Sequence, residues 1–291
     1  SNVLLAAESP VFAAPAMETQ MYANVAVQRN LEALCERGYT LIGPGTGVLA
    51  SGASGVGRME EPATIVDSLS MSLSGSGDLS DKHILVTAGP TEEDIDPVRF
   101  ITNRSTGKMG FAVAERASSR GARVTLVSGP VALPTPQDVT RVDVRTVKEM
   151  EMATKSAFVD ADVLVMTAAV LDFRPKVVAD QKIKKENYPM QLLFDPTHDF
   201  LVELGAKKGS RIVVGFAMET ENAEENAKRK LEKKALDLIV LNDLNVEGAG
   251  FEVDTNVVTF FDRDGDRRAF NLASKHEVSD HILDWVVAAC Q

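Results

Sequence analysis

From residue 83 onward the chain alternates two hydrophobic patterns. Short, continuous apolar runs read as buried strands: HILVTAG (83–89), RVTLVSG (123–129), DVLVMTAAV (162–170), RIVVGFAMET (211–220) and LDLIVLND (236–243). Between them, apolar residues recur at helical spacing. In 107–121, Met109, Ala112, Val113 and Ala117 share a face and Gly121 is the stop. Thr146 and Glu149 form a T-x-x-E capping box for a helix over 147–159. Further helices are predicted near 198–208 and, heavily charged, at 221–235, and NVVTFFD (256–262) reads as one more strand. A second capping box, Ser274 to Glu277, opens a C-terminal helix with Val278, Ile282, Trp285, Val286 and Ala289 on one stripe. Fully apolar strands separated by amphipathic helices predict an α/β domain with a doubly wound, mostly parallel, Rossmann-like sheet covered on both faces. Ligands in such folds bind beyond the C-terminal ends of the strands.

A different pattern precedes this domain. Residues 68–81, SLSMSLSGSGDLSD, are rich in Ser and Gly and predict a flexible linker. That divides the chain into 1–67, a linker at 68–81 and a main domain at 82–291. The first part holds one clear helix, NVAVQRNLEALCERG, with Val27, Leu31 and Leu34 on a stripe that suits a core or an interface.

Composition narrows the function. The 291 residues carry a net charge of -11, which argues against non-specific nucleic-acid binding, so an anionic ligand needs a local basic patch. No apolar run reaches the roughly 18 residues of a membrane span, and the apolar N-terminus lacks the basic flank of a signal peptide. Two isolated cysteines and four histidines give no disulfide framework and no His-built zinc spacing, and they suit a reducing cytoplasm.

The search for chemistry therefore turns to the strand ends. FITNRSTGKMG (100–110) resembles a phosphate loop, but Thr102 and Met109 stand where that loop needs a glycine and a magnesium-binding hydroxyl. There is also no G-x-G-x-x-G. The helix beginning near Ser105–Gly107 instead offers free amides for an anion, with Arg99, Arg104 and Lys108 around it. At the third strand end, small residues at Ala168 and Ala169 leave room for a flat base or ribose, and Asp172 follows. Lys182, Lys184 and Lys185 come later, either as phosphate ligands or as an ordinary solvated charge run. The fourth strand end carries Phe216, which can stack on a base or belong to the core, and Glu219. On the helix after it, Lys230 and Lys234 lie four apart on one face. Amides, lysines, an acid and an aromatic at one sheet edge suit a nucleoside triphosphate better than a dinucleotide.

The segments ILVTAGPTEEDIDPVRFITNRSTGKMGFAVAERASSRG, AAVLDFRPKVVADQKIKK, VGFAMET and LDLIVLND closely resemble the phosphopantothenate–cysteine ligase part of bacterial bifunctional coenzyme A biosynthesis proteins, over residues 82–290. The resemblance implies CTP-dependent activation of 4′-phosphopantothenate to an acyl-cytidylate, then capture by the amine of cysteine. It implies Asn103 at the acyl-cytidylate, Lys182 on the CTP phosphates, and Ala168, Asp172, Phe216, Lys230 and Lys234 at the nucleotide. Arg99 and Lys108 are candidates for substrate phosphate or carboxylate. It also implies Mg2+ with the triphosphate and a homodimer, in which the loops 90–104 and 171–195 could complete each site.

The N-terminal part is similar to the tail of the flavin-dependent decarboxylase half of those proteins, through PAMETQMY and LASGASGVGRMEEP. Glu18 and Ser51 stand where that family has asparagine and the reactive cysteine. The catalytic histidine and most of the flavin pocket belong to a part of that domain outside these residues. The resemblance therefore implies no decarboxylation and little or no FMN binding. Two rivals remain at this point: a nicotinamide-dependent reductase, and a CTP-binding regulatory module without ligase chemistry.

Overall fold

The computed structural model describes residues 4, 9–73, 77–184, 191–219, 222–243 and 253–290. The chain divides into two compact units, Ser1–Ser74 and Gly75–Gln291. In the first, Asn24 caps the helix Val25–Glu36 by accepting from the Ala26 amide at 2.9 Å. Val27, Leu31 and Leu34 of its predicted stripe are half-buried. An antiparallel hairpin, Gly45–Val48 with Ser54–Arg58, places Ser51 in its exposed turn.

The predicted linker is shorter in the structure. Helix Pro62–Leu73 runs through residues 68–73. Ser68 donates its hydroxyl to the Thr64 carbonyl at 2.8 Å, so this serine satisfies its polar group inside the helix. At the other end, Leu79 is buried, and Asp78 pairs with Arg120 at 2.6 Å. Residues 74–76 lie outside the described residues.

The second unit is built on one sheet. Its principal strands are β1 (His83–Ala88), β4 (Arg123–Ser128), β5 (Val139–Asp143), β6 (Val163–Met166), β9 (Ile212–Glu219) and β10 (Leu238–Asp243). Two hairpins stand apart from it: β2 (Glu92–Asp96) with β3 (Arg99–Thr102), and β7 (Phe173–Pro175) with β8 (Phe194–Pro196). Beyond β10 come β11 (Thr255–Asn256), β12 (Val258–Asp262), β13 (Arg267–Ala269) and β14 (Ala273–Ser274). The large sheet has the order β13-β12-β10-β9-β6-β1-β4-β5. The six strands from β10 to β5 are mutually parallel, and β12 and β13 are added antiparallel. The chain therefore winds outward from β1 through β4 to β5, returns, and winds the other way from β6. The reversal falls between β1 and β6, which pair in register from Ile84↔Val163 to Thr87↔Met166.

The helices follow the predicted pattern: α1 (Lys108–Ser119), α2 (Val147–Phe158), α3 (Phe200–Ala206), α4 (Ala223–Lys233) and α5 (Lys275–Ala289). Both capping boxes form. Ile84 and Val86 pack with Val113 and Ala117 of α1 and Ile282 and Val286 of α5. Leu85, Leu164 and Val213 point the other way, against Met150 and Phe158 of α2, Leu204 of α3 and Leu231 of α4. Each buried Val, Leu, Ile, Met or Phe side chain among them contributes roughly 1.5–3 kcal/mol by leaving water. On α5 the stripe turns slightly from the prediction: Leu283 is buried and Ala289 exposed, because the last turn runs past the sheet.

Candidate functional site

The pairing of β1 with β6 continues past their C-terminal ends. Pro90 bridges to Ala169, whose amide donates to the Gly89 carbonyl at 2.9 Å. The Leu171 amide donates to Thr91 Oγ1 at 3.0 Å. The Ala169 carbonyl accepts from two groups, the Thr91 amide at 3.3 Å and Asn103 Nδ2 at 2.8 Å. These bonds tie the two segments together beside a cleft of about 360 Å3 at the topological switch point.

Its walls are Asn103 and Thr106 to Gly110 on one side, Thr167 to Val170 with Asp172 on the floor, and Phe216, Met218 and Lys230 opposite. Two glycines make the first wall possible. Gly107 caps α1 with φ +78°, a left-handed conformation open to glycine at little cost. At Gly110 a Cβ would lie 2.4 Å from Thr167 Oγ1 and 2.5 Å from Ala88 Cβ, so only glycine lets α1 approach the strand ends so closely. The N-terminal amides of α1 thereby border the cleft, where they favour an anion.

Six of the nine residues singled out from sequence meet here: Asn103, Lys108, Ala168, Asp172, Phe216 and Lys230. Lys234 lines a smaller adjoining hollow that shares Ala168, Asp172 and Phe216 with the cleft, and pairs with Asp199 at 2.9 Å. Lys108 is engaged by Asp254 at 2.6 Å. Arg99 and Lys182 do not line the cleft. Arg99 Nε donates to Asp96 at 3.0 Å, and its Nη2 donates to the Ile183 carbonyl at 3.1 Å. In this structure its guanidinium clamps Asp96 to the backbone at residue 183. Asp96 completes the clamp. It is 1% exposed and accepts from the amides of Val98, Arg99 and Ile183. Lys182 sits beside this anchor with its side chain exposed. Lys184 is likewise exposed, and Lys185 lies outside the described residues.

Sequence reasoning missed Lys275, Asn242 and Asn256, which also line the cleft. Lys275 is only 6% exposed and donates to the Val253 carbonyl and to Asn256 Oδ1. Burial pushes its pKa from 10.5 down to about 8, with Asp254 opposing the shift and Lys108 adding to it. The unfolded chain holds that proton more tightly. The cost of the buried charge is therefore full below pH 8 and fades as pH rises toward 10.5.

A family model described as the DNA/pantothenate metabolism flavoprotein C-terminal domain matches residues 79–290, most of the chain. The chain belongs to this family. A second model, Flavoprotein, matches residues 1–74. The chain is 48% identical to the coenzyme A biosynthesis bifunctional protein CoaBC of Bacillus subtilis, over 99% of its own length and 72% of that protein. It is 45% identical to a cysteine/cysteine sulfinic acid decarboxylase from an unknown prokaryotic organism, over 96% of the chain and 79% of the relative. Among solved structures, the C-terminal domain of a CoaBC protein superposes with a TM-score of 0.63 at 42% identity, covering 73% of this chain and 97% of that one. The family's flavoprotein name belongs with the first unit, whereas the cleft lies wholly in the second.

Proposed function

We propose that the second unit is a phosphopantothenate–cysteine ligase that uses CTP. The single observation behind this is the cleft itself: a neutral amide, an acid, an aromatic and lysines meet at the switch point of a chain 48% identical to CoaBC.

The chemistry follows from what a carboxylate lacks. An amine cannot displace oxide from it, so the carboxylate of 4′-phosphopantothenate must first acquire a leaving group. Attack on the α-phosphorus of CTP gives an acyl-cytidylate and pyrophosphate. The cysteine amine then attacks the acyl carbon, CMP leaves, and an amide forms. The chain's task is to bring a polyanion and a carboxylate together, so catalysis is mainly positioning and charge stabilisation. In this reading Phe216 and the small residues at 168–169 receive the base and ribose. The α1 amides, Lys108 and Lys230 receive phosphates, and Asn103 holds the acyl group. Among the described residues Asp172 is the one carboxylate lining the cleft, which fits a magnesium ion carried largely by the triphosphate. A second copy would cover the apolar side chains exposed on the two hairpins, Phe100, Phe173 and Phe194.

A nicotinamide reductase is disfavoured, because the first strand leads into a hairpin rather than a glycine-rich turn. No described helix is long and apolar enough to cross a membrane. The reading is tested by pyrophosphate release with 4′-phosphopantothenate, comparing CTP with ATP, with and without cysteine. The expected result is release that needs phosphopantothenate and CTP, with amide formed only when cysteine is present. Release without phosphopantothenate, or none at all, rejects it. In the first unit the exposed Ser51 hydroxyl is a far weaker acid than a thiol, so no CO2 release from 4′-phosphopantothenoylcysteine is expected of the purified chain.

A further inference from the structure

Lys275 stands where a lysine is hard to keep. It is the first residue of α5, where the helix dipole disfavours a cation. It is buried, and two of the groups it donates to, the Val253 carbonyl and Asn256 Oδ1, are uncharged. Close by is Lys108, likewise the first residue of its helix, so two lysines share the field of Asp254. Burial of this cation costs desolvation, and the lowered pKa shows that the field of Asp254 does not repay it in full. Yet the side chain lines the cleft between the N-termini of α1 and α5, where an arriving anion would offset dipole, burial and like-charge repulsion together.

We propose that Lys275 is a phosphate-binding residue of this cleft, meeting the polyphosphate of the nucleotide and the pyrophosphate that departs. The proposal rests on the nucleotide reading above but assigns a residue that reading does not use. The lowered pKa supplies a signature. Among the described residues, the other charged groups near it include Lys108 with Asp254, His276 facing Glu115 at 3.1 Å, Glu277 in the capping box of α5, and Lys230 and Asp172 lining the cleft; all are retained when residue 275 alone is changed.

The test measures binding of CTP, CMP and inorganic pyrophosphate by calorimetry to the whole chain, as wild type, Lys275→Arg and Lys275→Met, at about pH 7 and pH 9. Lys275→Met should weaken CTP and pyrophosphate by roughly 10- to 100-fold, the worth of a charge-assisted contact, and change CMP by less than about 3-fold on the same scale. Between the two pH values wild type should lose up to roughly 10-fold in pyrophosphate affinity relative to Lys275→Arg, whose guanidinium stays charged. Should Lys275→Met fail to fold, the pH comparison of wild type with Lys275→Arg decides alone. Unchanged pyrophosphate binding in a folded Lys275→Met protein, or parallel pH profiles for wild type and Lys275→Arg, overturns the proposal and leaves the ligase reading standing. Wild type that binds pyrophosphate but not CTP overturns the nucleotide reading instead.

Discussion

Asn103→Asp is expected to release pyrophosphate at close to the normal rate and to lose amide formation by 100-fold or more, the usual scale for removing one preorganised donor at a reacting acyl group. On the ligase reading the two steps respond differently. Ala169 presents a carbonyl to residue 103, so the NH2 end of the Asn103 amide faces it, at 2.8 Å. Aspartate has no N–H to give, and its carboxylate would be set against a carbonyl oxygen and beside an anionic acyl-cytidylate. Activation needs only that the substrate carboxylate reach the α-phosphorus. Capture needs the acyl group held still while charge gathers on its oxygen, and there an anion is worst placed. A quenched-flow experiment with labelled CTP reads both steps: a burst of pyrophosphate, an accumulating acyl-cytidylate and little amide. An unchanged CTP affinity shows that the cleft is still formed. Normal amide yield removes Asn103 from the second step.

The sequence made the strands legible because those paired on both sides and covered on both faces must be apolar throughout, as β1, β4, β6, β9 and β10 largely are. It gave no such signal for β2 and β3. There the alternation is inverted: Asp96, an acid, faces inward and is buried, and Arg99 and three amides compensate it. A pattern reader sees a polar loop. The edge strand β5 was hidden likewise, since VTRVD is exposed along much of its length and reads as neither helix nor buried run. Strand β12 was visible, but nothing in its composition says that it lies antiparallel. Direction comes from the connection: no helix is described between β10 and β12, whereas a crossover helix links the parallel neighbours β9 and β10.

The cleft was legible to the extent that its residues stand at strand ends. Ala168, Asp172 and Phe216 follow directly from the strand pattern and Lys108 from the helix start, whereas Asn103 was marked only by the family resemblance. Lys275 was concealed by its own local role. It follows the N-cap Ser274 inside a capping box, a motif that accounts for the segment without any ligand. The clamp made by Arg99 was hidden in the opposite way, because a cation near a site is assigned to substrate until its carboxylate partner is seen three residues away.

Lys182→Gln is the second variant with a large expected effect: pyrophosphate release should fall by roughly 100- to 1,000-fold, in keeping with loss of a charge that acts mainly in the transition state. Lys182 is exposed and has no partner among the described residues, so neutralising it leaves no buried group unpaired and folding stability should not change. Its backbone is nevertheless fixed next door, where Ile183 donates to Asp96 at 3.1 Å and accepts from Arg99 at 3.1 Å. Lys182 does not line the cleft in this structure, so on the ligase reading its long side chain would reach the phosphates from this anchored stem. The anchor is permanent near neutrality. Arg99 first, then the three amides, hold the Asp96 carboxyl well below its ordinary value of 3.8 against the opposing effect of burial. Its stabilising contribution is therefore complete above that value and is lost only as pH falls further. Asp96→Asn should loosen the stem without removing the cation, giving a smaller fall of about 10-fold in the same step, as expected for misplacement rather than loss of a group. Pre-steady-state pyrophosphate release at saturating CTP measures both variants. Equal losses in the two would make the segment a structural support alone, and a normal rate in Lys182→Gln would take the lysine out of the activation step.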